Sequence, residues 1–240
     1  EVVLKVENYS GEKFHHVSFE LHRGEILGFS GIVGAGRTEL MRAVCGIDPK
    51  RGGRLYLTGK EMHFRNSRDA LKHGIGILPE DRKTQGFLNL STNIDNMAIS
   101  SLQKYLTGIF VDSGKKRKNC EKYIQELAIH PPKADILTAN MSGGNQQKVI
   151  IGRWLSTDVE VLIFDEPTKG VDVGARVEIY RLIEEFAQAG GAVIVISSDM
   201  PEVLGISDRV IVMCEGNKTG EIEREMFSEE LAKEYAIGGK

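Results

Sequence analysis

The sequence predicts an α/β fold, a mostly parallel sheet covered by helices and interrupted by an inserted helical segment. Three observations predict it. Short β-branched runs alternate with amphipathic stretches in two blocks, one opening the chain and one in its second half. A glycine-rich turn, "GIVGAGRTEL" at residues 31–40, lies between a strand pattern and a helix pattern in the first block. The apolar run "VLIFDE" at residues 161–166 sits in the second block and ends on two carboxylates.

In order along the chain, residues 2–6, 17–21 and 25–30 read as strands and 37–45 as the helix that opens on the glycine turn. Residues 87–140 differ, with helical periodicity, Gln and Lys enrichment and the breaker Pro131-Pro132. The second block then reads as strand 160–165, helix 174–189, strand 192–197 and two further strands at 208–214 and 218–222. This gives four segments: 1–86 as the N-terminal part of the core, 87–141 as a helical subdomain, 142–225 as the C-terminal part of the core, and 226–240 as a terminal helix. Internal repeats and low-complexity segments are absent.

Composition narrows the function classes. At 240 residues with 41% hydrophobic and 27% charged residues, the chain can bury a large core. It has no apolar run of the ~18 residues a membrane helix needs, so a membrane role is expected to be peripheral. A net charge of -3 offers no basic footprint for nucleic acid, and the run Lys115 to Lys118 reads as the solvated start of a helix. Cys45, Cys120 and Cys214 are far apart and in no metal-ligand spacing, which suggests reduced thiols. No signal-peptide pattern precedes the strand pattern that begins at Glu1, and the chain is expected to be a piece of a longer protein.

The glycine turn has the spacing of a phosphate-binding loop, G-x-x-x-x-G-K-[ST], with Arg37 where the lysine belongs. Glycines at such a strand-to-helix junction let backbone N–H groups converge on anionic oxygens at a helix N-terminus. A plain glycine turn or a dinucleotide fingerprint is the alternative. The latter wants an acid ending the next strand ~20 residues on, and the nearest candidate, Asp48, sits in the turn Asp48-Pro-Lys instead. The acids of "VLIFDE" agree with the phosphate loop: Asp165 would hold Mg²⁺ beside Thr38, and Glu166 would polarise a water.

"MSGGNQQK" at residues 141–148 resembles the LSGGQ signature of the ABC transporter ATPase subunits. The resemblance spans nearly the whole chain, through "GEILGFSG", "DEPTKGVDVGAR" and "SSDMPEVLGISDRVIVMCEG". More narrowly, "GAGRTE", "PEDRK", "SGGNQQK" and "GVDVGA" resemble the second ATPase half of tandem-domain importers for ribose, galactose, xylose or arabinose.

That resemblance implies a P-loop NTPase (RecA-like) core with an antiparallel β portion, and the cofactors ATP and Mg²⁺. It implies nucleotide contacts by Gly31, Gly34, Ala35, Gly36, Arg37, Thr38, Glu39 and Asp172, and by the signature residues Ser142, Gly143, Gly144 and Asn145. Its metal would lie at Thr38, Asp165 and Glu80. The implied partners are a second ATPase domain, expected in the N-terminal half of the same polypeptide, integral membrane permease subunits and, indirectly, a sugar-binding protein. The implied location is the cytoplasmic face of a bacterial membrane. Ser142 at a helix start also suits a plain cap.

Four departures fall on residues that handle the γ-phosphate. Arg37 keeps the charge, but a planar fork on a longer stem cannot wrap into the loop as an ammonium does. Glu39 puts a carboxylate near the α-phosphate, a repulsion of order 1 to 4 kcal/mol at ~4 Å. Glu80 stands where the family senses Mg²⁺ and water through a glutamine. Ser198 stands where it has the histidine that contacts the γ-phosphate. The expected consequence is a weak loop beside a near-intact signature. The alternatives are a fully active homodimeric ATPase, with Arg37 and Ser198 as tolerated variants, and a soluble ABC-type ATPase outside transport. Tyr9, upstream of the loop, either stacks on adenine or packs in a half-buried edge strand.

Overall fold

The computed structural model describes residues 1–238, so Gly239 and Lys240, the end of the terminal helix expected over 226–240, lie outside the described residues. The elements run β1 (Val2–Ser10), β2 (Val17–His22), β3 (Ile26–Ser30), α1 (Arg37–Val44), β4 (Gly52–Leu57), β5 (Lys60–Met62), α2 (Ser67–Lys72) and β6 (Ile75–Leu78). A single π turn, Arg82–Gly86, leads to α3 (Asn93–Ala98), a 3₁₀ stretch (Ile99–Tyr105), β7 (Leu106–Thr107), β8 (Phe110–Val111), α4 (Ser113–Glu126) and α5 (Gly143–Leu155). The chain closes with β9 (Val161–Asp165), α6 (Val173–Gln188), β10 (Ala192–Ile196), α7 (Met200–Ile206), β11 (Arg209–Cys214), β12 (Asn217–Glu223) and α8 (Glu229–Ala236). It divides into two compact units: Glu1–Ile77, Glu160–Pro167 and the chain from Ile183 on, and Leu78–Val159 with Thr168–Leu182.

The first unit holds two sheets, one antiparallel in the order β2-β1-β4-β5 and one of six strands in the order β12-β11-β3-β10-β9-β6. In the larger sheet β10 lies between β3 and β9, parallel to both, β11 joins β3 in parallel, and β12 returns antiparallel to β11. Every residue of β3, β9 and β10 is buried. Parallel strands covered on both faces are continuously apolar, which is why these runs stand out in the sequence. β2 instead alternates buried and half-buried positions, as a strand with one face on the core does. The core between the sheets includes Leu4, Val6, Phe14, Phe29, Leu40, Met41, Ile163 and Ile194.

Strand register decides which loops share one end of the sheet. Ile196 lies opposite both Phe29 and Asp165, so the carboxyl ends of β3, β10 and β9 finish level. Ligands of parallel α/β sheets bind at such carboxyl ends.

The second unit is helical. Met97 of α3, Cys120, Tyr123 and Ile124 of α4, and Val149 and Ile150 of α5 are buried. A polar cluster lies among them. The Asn96 amide donates to the carbonyls of Leu88, Ser91 and Thr92 and to the Thr138 hydroxyl, and its oxygen accepts from Leu88 N at 2.7 Å. Arg153 donates to the Asn96 carbonyl at 2.7 Å, and burial pulls the guanidinium down to about 10, so it stays charged at neutral pH. These groups add to the backbone pairing of the segment before α3 with residues 136–138, which is limited to a single bridge and the bonds beside it.

Candidate nucleotide-binding site

The loop after β3 is shaped by its glycines. Gly31 has φ 146° and Gly36 has φ 90°, a region that only glycine enters freely. Space excludes a side chain as well: a Cβ on Gly31 would lie 2.2 Å from the Met213 carbonyl oxygen, and one on Gly36 2.3 Å from that of Lys13. Gly34 has open space around it, and Ala35 is buried. α1 starts directly after Gly36 with no side chain capping it, so its first-turn N–H groups remain available to an anion.

The side chains beyond Gly36 take separate directions. Arg37 is 7% exposed, and its Nη1 donates to the Ser197 carbonyl oxygen at 2.5 Å, just beyond the end of β10. Thr38 Oγ1 donates to Asp165 Oδ1 at 3.2 Å, and Asp165 is fully buried. Glu166, at φ 50°, has both carboxylate oxygens engaged by one residue: Ser198 N donates to Oε1 at 2.7 Å and Ser198 Oγ to Oε2 at 3.2 Å. Glu39 accepts from Lys13 Nζ at 2.8 Å. The expected repulsion at the α-phosphate is therefore met by a local cation, one that sequence spacing gave no reason to place there. Tyr9 is buried, stacked on Phe14 at 6.0 Å between centroids, with its hydroxyl donating to the Ala43 carbonyl at 3.3 Å. Its ring is packed in the core from β1, which lies between β2 and β4, rather than half-buried on an edge strand.

These groups fit a nucleotide with Mg²⁺. Among the described residues no cluster of three or more His, Cys, Asp or Glu is placed to hold a metal. Mg²⁺ at nucleotide sites is commonly held by one or two protein oxygens plus phosphate oxygens, and Thr38 with Asp165 supplies two.

The second unit places the signature. Ser142 caps α5: its Oγ accepts from Asn145 N at 3.5 Å and from Asn145 Nδ2 at 2.8 Å, while Asn145 Oδ1 accepts from His130 N at 2.7 Å. Ser142 is exposed, Gly143 half-buried and Gly144 buried. A Cβ on Gly144 would lie 2.4 Å from that of Ala175, so its small size has a nearer cause than the approach of a partner's phosphate. Asp172, exposed, caps α6 by accepting from Ala175 N at 3.1 Å.

Glu80 accepts from Lys169 Nζ at 2.6 Å. Arg82, partly desolvated and pulled down in pKa by burial, donates to the carbonyls of Lys169 at 2.6 Å and Gly170 at 3.0 Å and to Gln146 Oε1 at 3.3 Å. It thereby ties the segment after Glu80 to the signature helix and to the turn before Asp172. Lys13, Lys169 and Gln146 escaped sequence reasoning because each acts through a partner far away in the chain.

A glycine loop at the carboxyl end of a parallel sheet, with Thr38 against a strand-end Asp165 and a capped SGGN helix, defines a P-loop ATPase cassette. The ABC transporter family profile matches residues 14–169, and the chain belongs to that family. It is 47% identical over 240 residues, 99% of its length, to a putative ribose/galactose/methyl galactoside import ATP-binding protein of Geobacillus kaustophilus, of which it covers 48%. It is 44% identical to the ribose import ATP-binding protein RbsA of Streptococcus agalactiae, covering 49% of that protein. The chain thus spans about half the length of the curated relatives it matches. Its fold matches that of an ATP-binding cassette of an ABC transporter in its ADP conformation, with a TM-score of 0.84 at 22% identity and 99% of each chain covered. A dimeric cassette bound to ADP and Pi matches with a TM-score of 0.79 at 20% identity, covering 93% of this chain and all of that one.

Proposed function

We propose that this chain is an ATP-binding domain of an ABC import system for a monosaccharide such as ribose or galactose. Its own nucleotide loop is weak, and its SGGN segment completes the ATP site of a partner ATPase domain. The names of its relatives supply the substrate class, and its half-length match to them supports a partner domain within the same polypeptide. The other partners in this reading are membrane permease subunits on whose cytoplasmic face the domain sits, and through them a sugar-binding protein. Nucleic acid has no part in it.

The observation that carries the weak-loop reading is the direction of Arg37. Its Nη1 already donates to the Ser197 carbonyl, so a phosphate would have to displace that contact to draw the charge. Phosphoryl transfer depends mainly on positioning and charge stabilisation, and one lost preorganised donor costs ~10² to 10³ in rate. Serine in place of histidine at 198 removes a second donor, and the Ser198 hydroxyl is already committed to Glu166. Mg²⁺, when bound, would supply charge to the phosphates from Thr38 and Asp165. Glu166 remains the group to orient a water. Gly31, Gly34, Ala35 and Gly36 would cradle phosphates through their amides. Ser142, Gly143 and Asn145, with Asp172, would serve a nucleotide held by the partner domain.

ATP titration and turnover of the purified chain test this reading. We expect negligible hydrolysis, and none restored by Arg37→Lys alone, since Ser198 still lacks the imidazole. Turnover at about 1 s⁻¹ or above, within the ordinary range for enzymes, would overturn it.

A further inference from the structure

The second unit carries a surface feature that nucleotide chemistry does not use. Between the 3₁₀ stretch and α4, β7 and β8 make a minimal hairpin in which Leu106 pairs with Val111 and Thr107 with Phe110, turning through Gly108 at φ 63°. Its apolar side chains face outward: Ile109 is 88% exposed, Phe110 74%, Val111 46% and Leu106 42%. Single exposed apolar residues are ordinary, but four within one six-residue hairpin form a patch. Two-residue strands cannot bury such a face by themselves.

The stretch of sequence around this tip is locally basic. The whole sequence carries -3, yet residues 104–118 hold Lys104, Lys115, Lys116, Arg117 and Lys118 against the single acid Asp112. Lys104, Lys116 and Arg117 are paired with Asp158, Asp95 and Asp135. Lys115 donates to the Thr107 hydroxyl of the hairpin at 3.1 Å, and Lys118, three residues on along the same helix face, has no acidic partner among the described residues. All four helical cations lie in the first turns of α4, at the positive end of its dipole, where cations weaken a helix. Salt bridges account for Lys116 and Arg117, whereas Lys115 and Lys118 have none among the described residues, and an external anion would balance them.

We propose that the hairpin at residues 106–111 is a lipid-contact element, with Ile109 and Phe110 entering the interfacial layer of an anionic bilayer and Lys115 and Lys118 meeting its phosphate headgroups. An apolar tip with a cationic collar is the arrangement that binds such surfaces, each part supplying what the other lacks. A branched aliphatic side chain at the apex favours acyl chains over the stacked bases of a nucleic acid. The proposal stands on the hairpin and its charges and does not depend on the reading of the nucleotide loop.

Flotation of the purified chain with vesicles tests it, using equal parts phosphatidylglycerol and phosphatidylcholine, or phosphatidylcholine alone. We expect binding to the anionic vesicles at least tenfold stronger than to the neutral ones. Ile109→Ser with Phe110→Ser, and separately Lys115→Glu with Lys118→Glu, should each weaken it at least tenfold without lowering thermal stability, because all four side chains are exposed and glutamates suit the start of α4 better than lysines. Phe110→Trp should shift its emission to the blue on anionic vesicles only. The proposal fails if the unaltered chain does not float, if it binds both vesicle types equally, or if either double variant binds as well as the original. Loss in the charge variant with none in the apolar variant would mean adsorption without insertion, and would also overturn it.

Discussion

A guanidinium that is 7% exposed needs acceptors, and Arg37 has one in the Ser197 carbonyl. If the residue is structural in this way, Arg37→Met leaves that acceptor without its donor and should lower stability by about 1–3 kcal/mol in urea unfolding. An unchanged midpoint would show that the side chain is free to serve a phosphate. The thiols offer a second check at this scale. Burial pushes Cys45 and Cys120 up to about 12, so at pH 8 only ~10⁻⁴ of either is thiolate, whereas Cys214 is half-buried. Ellman's reagent should therefore titrate one rapid thiol in the native chain and three after denaturation. Two or more rapid thiols would contradict the packing around α1 or α4.

Each unit depends on a few elements tied by side chains to distant backbone. Asn96, on the short helix α3, adds side-chain bonds to carbonyls that also accept from backbone N–H groups and gives Leu88 N its acceptor, with Arg153 of α5 closing the cluster. Asn96→Ala removes the acceptor of Leu88 N and the side-chain bonds of this buried cluster, and a loss of roughly 1–3 kcal/mol is expected from thermal or urea unfolding. A loss under 1 kcal/mol would mean that water replaces the amide. Arg82 plays a different part, since its partners are the backbone of residues 169–170 and the signature helix. If the chain serves a sugar importer as proposed, Arg82→Ala in that full transporter should reduce sugar uptake more than basal ATP hydrolysis, because it loosens the joint between those segments without touching Thr38 or Asp165. Equal losses in both assays would count against a coupling role.

For the whole molecule, the proposed asymmetry between a weak loop and a signature that completes a partner's site leads to a paired experiment. Gly144 is a poor probe, because any side chain there collides with Ala175. Ser142→Asp is better: aspartate caps a helix N-terminus as well as serine does, so the fold survives, while its charge repels a phosphate brought by the partner domain. We expect Ser142→Asp to abolish ATP hydrolysis and uptake by the full-length protein, and Glu166→Gln to cost much less. The reverse outcome, with Glu166→Gln fatal and Ser142→Asp mild at matched expression, would exchange the roles assigned to the two sites.

Local pattern was enough for the sheet, the loop and the family. The apolar runs at 161–165 and 192–196 announced a parallel sheet because strands covered on both faces have no polar face to alternate, and the junction at 31–38 announced a phosphate loop because only glycines admit its backbone. The motifs at 141–148 and 165–176 sufficed to bring the family into view. Where side chains end was settled only in the folded chain. That Arg37 turns to Ser197, that Lys13 neutralises Glu39, and that Ser198 engages both oxygens of Glu166 depend on partners 160, 26 and 32 residues apart, brought together by register and loop closure. The hairpin at 106–111 was hidden for a related reason: its strands are too short to show a period within a stretch that reads as helical, and the exposure of its apolar residues is visible only in the folded chain.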